Sequence, residues 1–200
     1  MTALSNMIFL FYGPEGSGKS TQAKKLADFL GIRYLSTGDM VRFFAKGKTG
    51  KLGKECLDIL QRGVYLSDAT TIEMVKRSLE NADTPEKDLV LDGFPRNLKQ
   101  AKAFNKIVSL LGLKIGALFY MTVDKKTSIK RLLVRGRDKY DTPELINSRL
   151  QQYNKDNGSM LDFYKKQKLL YHINGCPAEK EVFKKIKAVI NKLKKDFRQI

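Results

Sequence analysis

Apolar residues occur in short unbroken runs along the chain, such as MIFLFY at residues 7–12, rather than alternating with polar residues. Such runs are typical of strands that are buried on both faces of a sheet. The pattern predicts strands at residues 8–12, 33–35, 89–91, 117–123 and 169–173. A segment of helical length follows most of them, so the sequence predicts an α/β fold with a five-stranded parallel sheet flanked by helices.

The interval between the second and third predicted strands is longer than one crossover helix requires. It has helical periodicity from residue 38 to about residue 81, interrupted by the glycine- and lysine-rich stretch AKGKTGKLGK. Glycines in such a stretch break a helix, so at least two helices are expected. We interpret the interval as an inserted helical subdomain that can move.

Composition is that of one globular folding unit. The 200 residues are 42% hydrophobic and 30% charged, without repeats or low-complexity tracts. The apolar runs are shorter than the roughly 20 residues of a membrane helix, and the N-terminus does not look like a secretory signal. Cys56 and Cys176 lie in dissimilar contexts and suggest neither a disulfide framework nor a metal cluster. We expect a cytoplasmic protein with no membrane partner.

The formal net charge of +17 has two possible explanations. A basic surface can bind nucleic acid or a membrane. Alternatively, the charge reflects a lysine-rich composition together with a site for phosphates. In KKIKAVINKLKK the lysines occupy one face of a predicted helix and apolar residues the other, and no aromatic-rich RNA-binding signature accompanies them. The sequence therefore argues against a nucleic-acid partner.

A phosphate-binding loop (P-loop) is predicted by GPEGSGKST at residues 13–21, between an apolar strand and a helical pattern. Glycines in such a loop let backbone N–H groups point at phosphate oxygens. Lys19 is expected to reach the β- and γ-phosphates, and the hydroxyl of Ser20 or Thr21 to meet Mg²⁺. A carboxylate at Glu15 would repel a polyphosphate unless it pointed outward, so Glu15 is given no catalytic role.

A second motif, LVLDGFPR at residues 89–96, ends a predicted strand with an acid. Asp92 is therefore the candidate carboxylate that organises Mg²⁺. Gly93 permits close approach of the backbone, and Arg96 offers a planar pair of donors for a phosphate.

Five segments together resemble the short-lid form of the adenylate kinase family of nucleoside monophosphate kinases. They occur in that family's order between residue 8 and about residue 190: GPEGSGKSTQ, LSTGDMVR, LDGFPRNLKQA, KRLLVRG and INGCPAEKEVF. The resemblance implies reversible, Mg²⁺-dependent phosphoryl transfer from ATP to AMP, giving two ADP. It also implies a monomer in which the monophosphate-binding insertion at residues 37–65, here called the arm, moves freely.

The resemblance also implies a role for individual residues. Those expected at ATP are Gly13, Gly16, Ser17, Gly18, Lys19, Ser20, Thr21, Arg131, Arg135 and Pro177. Those expected at AMP are Thr37, Arg42, Val64, Tyr65, Leu66, Gly93, Arg96, Gln100, Arg137 and Arg149. Catalytic roles fall to Lys19, Arg96, Arg131, Arg137 and Arg149, and Mg²⁺ is expected at Ser20 and Asp92, partly through water.

The division of the chain follows from the same resemblance. A core is expected at residues 1–36, 66–134 and 143–200, a monophosphate-binding insertion at 37–65 and a very short lid at about 135–142. The lid region, RGRDKYDTPE, has several residues fewer than the family pattern, and Arg137 lies one residue further from Arg149 than in that pattern. Because the long lid with its cysteine cluster is missing, no zinc is expected.

Phosphoryl transfer to a phosphate needs alignment and charge neutralisation rather than a general base, because the attacking oxygen is already anionic. Accordingly, no histidine is needed, and the single His172 is assigned a structural role.

Two alternative functions stay open. Asn97 completes FPRN, which is similar to the motif of UMP/CMP kinases, whereas Thr37 and Gln100 match adenine-accepting relatives. Less favoured is a P-loop NTPase that binds RNA or associates with ribosomes, which the positive charge suggests.

Overall fold

The computed structural model describes residues 6–47, 50–80, 88–135 and 142–196. The strands are β1 (Met7–Tyr12), β2 (Arg33–Ser36), β3 (Leu89–Asp92), β4 (Lys114–Thr122) and β5 (Leu170–Asn174). The helices are α1 (Lys19–Leu30), α2 (Thr37–Gly47), α3 (Gly50–Arg62), α4 (Asp68–Glu80), α5 (Leu98–Leu110), α6 (Lys125–Arg135), α7 (Pro143–Lys166) and α8 (Glu179–Asp196).

The strands form one sheet in the order β2-β3-β1-β4-β5, and all neighbouring pairs are parallel. The predicted α/β fold with a five-stranded parallel sheet is therefore confirmed. The predicted bounds of β4 were wrong at its start, since it begins at Lys114 instead of residue 117. Lys114 is exposed and pairs with Met7 ahead of a register shift, so the first residues of β4 lack the continuous apolar pattern.

Both faces of β1 are buried, which explains its unbroken apolar run. Met7, Phe9 and Phe11 belong to the core cluster that includes residues of α1 and α8. Ile8 and Leu10 belong to the cluster on the other face, with residues of α4, α5 and α7. Helices thus cover both faces of the sheet, and the carboxyl ends of its parallel strands share one edge, where ligands usually bind in this architecture.

An additional helical unit, α2 and α3, lies between β2 and α4, as the long periodic interval predicted. Its small apolar cluster joins Val41, Ala45, Cys56 and Ile59 to Leu66 and Met74. Cys56 is buried there, and its burial raises the pKa of the thiol to about 11. The unit thus has an apolar cluster of its own, and Met40 of α2 also packs against the core on the α4 side of the sheet.

Neither cysteine forms a disulfide: Cys56 is buried and Cys176 exposed, both as free thiols. His172 lies on β5, at the end of the strand order, where its ring meets that of Tyr120 edge-on at 5.1 Å. Within the described ranges, no helix combines the length and apolarity that crossing a membrane requires.

Replacing Phe104 tests the core on the α5 side of the sheet. Phe104 is fully buried and packs edge-on against Phe94 at 5.3 Å. We expect Phe104→Ala to lower the free energy of unfolding by about 3–5 kcal/mol, because it removes apolar contacts and leaves a cavity. Leu110→Ala, at an 86% exposed position of the same helix, should change it by less than about 0.5 kcal/mol. Equilibrium unfolding in urea measures both, and equal effects would contradict the assigned core.

Candidate active site

The loop between β1 and α1 has the backbone conformation that its glycines predict. Gly16 and Gly18 have φ angles of 75° and 85°, in the left-handed region that favours glycine. Gly18 immediately precedes α1, whose first turn receives no hydrogen bond from a side chain of the cap residue. The N–H groups at the start of α1 are therefore placed to bind an anion, with the positive end of the helix dipole behind them.

A cavity of about 520 Å³ adjoins this loop. Its size is in the range of small-molecule sites. The predicted ATP residues that line it are Gly16, Ser17, Gly18, Lys19, Ser20, Thr21, Arg131 and Pro177. Gly13 instead packs below the loop, where a Cβ atom would collide with the backbone of Met121. Arg135 ends α6, and its side chain lies outside the described part of the structure.

Arg131 connects three segments around this cavity. Its guanidinium donates to the carbonyl oxygens of Gly16 at 3.2 Å, Gly175 at 2.8 Å and Cys176 at 3.2 Å. These bonds join α6 to the phosphate loop and to the segment after β5. Arg131 therefore holds a positive charge at the cavity in a defined position.

A second, smaller cavity of about 70 Å³ contains most of the residues predicted for AMP. Those that line it are Thr37, Arg42, Val64, Tyr65, Leu66, Arg96, Gln100 and Arg149. Gly93 adjoins this set, since a Cβ atom there would lie 2.9 Å from Thr37 Oγ1. Arg137, predicted at both the catalytic and the AMP sites, lies outside the described residues.

Arg96 is held by backbone and aromatic contacts. Its Nε donates to the carbonyl oxygen of Gly93 at 2.8 Å, and its guanidinium lies 3.8 Å from the centre of the Tyr65 ring. Burial raises the pKa of Tyr65, so its hydroxyl stays protonated and donates to the carbonyl oxygen of Arg149 at 3.4 Å. The two arginines are therefore linked through one tyrosine.

Asp68, which the sequence reasoning did not identify, organises the start of α5. Its Oδ1 accepts from Asn97 Nδ2 and from Gln100 Nε2, both at 2.8 Å. Asn97 in turn caps α5, because its Oδ1 accepts from the Gln100 N–H at 2.9 Å. The sequence offered one signal for this arrangement: Asn97 directly precedes a helical pattern, which is the typical position of an N-cap residue. Asn97 therefore has a structural task that is independent of the acceptor base.

Asp92 is buried at the end of β3, and Tyr34 OH donates to its Oδ2 at 2.9 Å. Burial, and then the charge of Asp92, raise the pKa of Tyr34, so the phenol remains a donor. Asp92 Oδ1 is buried with no hydrogen-bond partner among the described residues. An orphaned carboxylate oxygen fits a hydrated Mg²⁺, which typically takes one or two carboxylates, phosphate oxygens and several waters. Ser20, which was predicted to supply a hydroxyl, lines the larger cavity.

The Glu15 side chain turns away from the larger cavity and toward α7. Its Oε2 accepts from Arg149 Nε at 2.9 Å, and it lines the smaller cavity. The repulsion expected from its carboxylate is offset by the arginine. No local pattern indicates this pair, because its residues are 134 positions apart.

Helix α7 also contacts the segment that follows α3. Ser148 Oγ donates to the carbonyl oxygen of Gly63 at 3.1 Å, and the Tyr65 N–H donates to Gln152 Oε1 at 3.0 Å. Gln152 was not identified from the sequence. These bonds hold the segment that contains three of the predicted AMP residues, Val64, Tyr65 and Leu66.

Comparison with known proteins decides the family. The sequence model of the family described as adenylate kinase matches residues 11–169. The chain belongs to the adenylate kinase family. It is therefore a nucleoside monophosphate kinase, a phosphotransferase, and the resemblance noted from its motifs is confirmed.

Named adenylate kinases match this family member over nearly its whole length. One from Cyanothece sp. is 37% identical, with 92% of this chain and 95% of the relative covered. One from Prochlorococcus marinus is 38% identical, with coverage of 90% and 95%. An archaeal adenylate kinase, from Archaeoglobus fulgidus, is 32% identical, with coverage of 94% and 99%. The adenylate kinase likeness thus extends through the core, both cavities and the helical insertion.

Substitution of Asn97 tests its capping role. Asn97→Ala should lower the free energy of unfolding by about 1–2 kcal/mol, because the first turn of α5 loses its acceptor. Asn97→Ser, which keeps a capping oxygen, should retain most of that stability. Chemical denaturation compares the three proteins, and an alanine variant as stable as the parent would show that the cap contributes nothing.

Proposed function

We propose that the protein transfers a phosphoryl group reversibly from ATP to AMP, with Mg²⁺, and gives two ADP. The observation that supports this most is that the two cavities adjoin neighbouring residues of one loop. Gly16 lines the larger cavity and Glu15 the smaller. A donor phosphate bound at the loop would therefore lie beside an acceptor in the smaller cavity, as in-line transfer requires.

ATP is assigned to the larger cavity. The N–H groups at the start of α1 and the ammonium of Lys19 would neutralise its phosphates, and Arg131 would add charge from α6. Lys19 Nζ lies 3.4 Å from the carbonyl oxygen of Pro14, folded back over the loop. Its charge is thus held at the loop, where it would stabilise the transferred group.

The AMP phosphate is assigned to the arginines of the smaller cavity, Arg42, Arg96 and Arg149. Backbone carbonyl groups hold two of them: Arg42 Nη1 donates to Gly38 at 3.1 Å and Arg96 Nε to Gly93. Cations held in advance of binding lose little freedom when the phosphate arrives. No general base is required, because the acceptor oxygen is an anion.

Thr37 and Gln100 support adenine as the acceptor base. The Thr37 hydroxyl donates to the carbonyl oxygens of Asp92 and Gly93, at 3.3 and 3.1 Å, so toward a ligand it can only accept. An acceptor suits the exocyclic amino group that adenine and cytosine have, and repels the carbonyl that guanine and uracil present there. Gln100 donates one amide N–H to Asp68 and accepts the Arg96 N–H at its oxygen. Its second N–H and its second oxygen lone pair can therefore bind the edge of a base.

Mg²⁺ is assigned to the phosphates beside Ser20 and Asp92. When bound, it would neutralise charge on the transferred phosphoryl group. Asp92 would hold its water shell through the unpaired Oδ1, while Tyr34 fixes the carboxylate through Oδ2. Zinc has no place in this proposal.

The acceptor cavity must enlarge before AMP enters, because about 70 Å³ is far below the 300–1,000 Å³ of typical ligand pockets. We assign that motion to the insertion at residues 37–65, whose α2 and α3 have their own apolar cluster. The core would then be residues 1–36, 66–134 and 143–200, with a short lid at 135–142. A monomer in the cytoplasm completes the proposal, since an oligomer contact on the arm would restrict it.

The motif that favoured a UMP/CMP kinase has another explanation here. Asn97 caps α5 and binds Asp68, so FPRN does not require a pyrimidine acceptor. A P-loop NTPase that binds RNA rests on net charge alone, whereas the two adjoining cavities favour a second nucleotide.

An acceptor panel tests the proposed function. With ATP and Mg²⁺, we expect ADP formation to require a monophosphate, with AMP preferred over CMP, UMP and GMP in kcat/KM. Each acceptor is supplied separately in a coupled assay. Preference for CMP would overturn the choice of base, and turnover stimulated by RNA but not by monophosphates would overturn the kinase proposal.

Single-charge substitutions separate the roles of the donor and acceptor sites. Lys19→Ala should lower kcat by about 100- to 1,000-fold, because a charge at the transferred group is lost. Arg96→Ala should raise the KM for AMP and lower kcat, with little change in the KM for ATP.

The controls remove the same charge elsewhere. The control variants are Lys102→Ala, at an exposed position of α5, and Arg77→Ala, at a residue paired with Glu73 on the surface of α4. Each should leave kcat and both KM values within about two-fold of the parent. Unchanged kinetics for Arg96→Ala would refute its assignment to the acceptor.

A further inference from the structure

We propose that Glu15 is a positioning residue: its carboxylate holds the Arg149 guanidinium in the acceptor cavity and so links the phosphate loop to α7. The inference rests on the proposed function and adds a residue that the motif assignments left without a role. Oε2 of Glu15 accepts from Nε of Arg149 at 2.9 Å, so the two side chains form an ion pair that is also hydrogen-bonded.

The environment of the pair makes it more than a surface contact. The side chain of Arg149 is 7% exposed and that of Glu15 is 22% exposed. Exposed ion pairs contribute little, because water screens them and side-chain entropy is lost. A counter-charge stabilises a buried guanidinium, and Glu15 supplies one to Arg149 before any ligand is bound.

The hydrogen bond also fixes orientation. Nε is the guanidinium nitrogen nearest the side-chain stem, so a bond at Nε restricts both the position and the plane of the group. The Arg149 carbonyl oxygen meanwhile accepts from Tyr65 OH, and the Tyr65 ring lies against Arg96. Arg149 is therefore held from the loop side by Glu15 and from the arm side by Tyr65.

The backbone of Glu15 makes a second connection, to α6. Its carbonyl oxygen accepts from Ser128 Oγ at 2.6 Å, three residues before Arg131, which binds the carbonyl oxygen of the next loop residue, Gly16. Loop residues 15 and 16 thus hold α6 through main-chain oxygens and α7 through a carboxylate. One segment therefore sets the positions of an arginine at each cavity relative to the phosphates.

The consequence for catalysis concerns alignment rather than affinity for ATP. Three guanidiniums line the acceptor cavity and repel one another, and the Glu15 carboxylate reduces that repulsion at Arg149. Glu15 keeps Arg149 in place until the acceptor phosphate arrives and during the transfer. Misplacement of a reacting or aligning group by about 1 Å can reduce a rate by about 100-fold.

A double-mutant cycle tests this role in the full-length protein. Glu15→Ala should reduce kcat/KM for AMP by about 10- to 100-fold while the KM for ATP stays within about two-fold. In an Arg149→Ala background, the same change should add less than a further two-fold, because Glu15 acts through Arg149. Glu15→Gln, which keeps the shape and an acceptor oxygen, should fall between the parent and Glu15→Ala, and it serves if the alanine variant folds poorly.

Other kinetic outcomes would overturn the proposal. Equal effects of Glu15→Ala in both backgrounds would mean that Glu15 acts through the loop and not through Arg149. Tighter AMP binding in Glu15→Ala would mean that the carboxylate competes with the acceptor phosphate. A kcat/KM for AMP unchanged in both variants would remove the role altogether.

Nuclear magnetic resonance of the arginine Nε–H groups provides a readout that does not depend on turnover. The Arg149 resonance is assigned by its loss in Arg149→Lys. It should exchange slowly with water in the nucleotide-free protein and rapidly in Glu15→Ala, while its persistence in Glu15→Ala would refute the pairing. A parent protein that phosphorylates no monophosphate yet shows the protected resonance would refute the proposed function and retain the pairing.

Discussion

The phosphate loop lies so close to neighbouring backbone that side chains cannot fit between them. A Cβ atom at Gly16 would lie 2.6 Å from the carbonyl oxygen of Ser128, and one at Gly13 would collide with the carbonyl of Met121. Gly175, after β5, makes a similar approach to the carbonyl of Ser17. These contacts fix the loop against β4, α6 and the segment after β5. The positions of both cavities depend on this close fit.

Backbone carbonyl oxygens, which carry no net charge, orient most of the arginines of the site. Arg131, Arg96 and Arg42 each donate to backbone carbonyl groups, which orient a guanidinium without cancelling its charge. Glu15 is different, because it is a full negative charge placed beside Arg149. The smaller cavity therefore combines guanidiniums that backbone carbonyl groups orient with one that also pairs with a carboxylate.

The sequence predicted the features that depend on local patterns or on a full motif. The sheet was predictable because residues 7–12 and 89–92 are buried on both faces, and the loop because its glycines need left-handed φ angles. The ion pair of Glu15 and Arg149 was not, since it depends on packing between distant segments. Asn97 was interpreted as a marker of base choice, although the same residue satisfies a helix cap. The predicted lid positions 136–141 lie outside the described residues.

The small volume of the acceptor cavity has a thermodynamic consequence. If only a fraction of molecules has the arm open, the apparent dissociation constant for the acceptor equals the intrinsic constant divided by that fraction. The hydrogen bonds that Ser148 and Gln152 form with residues 63 and 65 would then weaken acceptor binding without contacting the acceptor, because they would stabilise the closed form. Under the proposed mechanism, acceptor affinity would accordingly depend on these bonds between α7 and the segment after α3, and not only on the arginines of the smaller cavity.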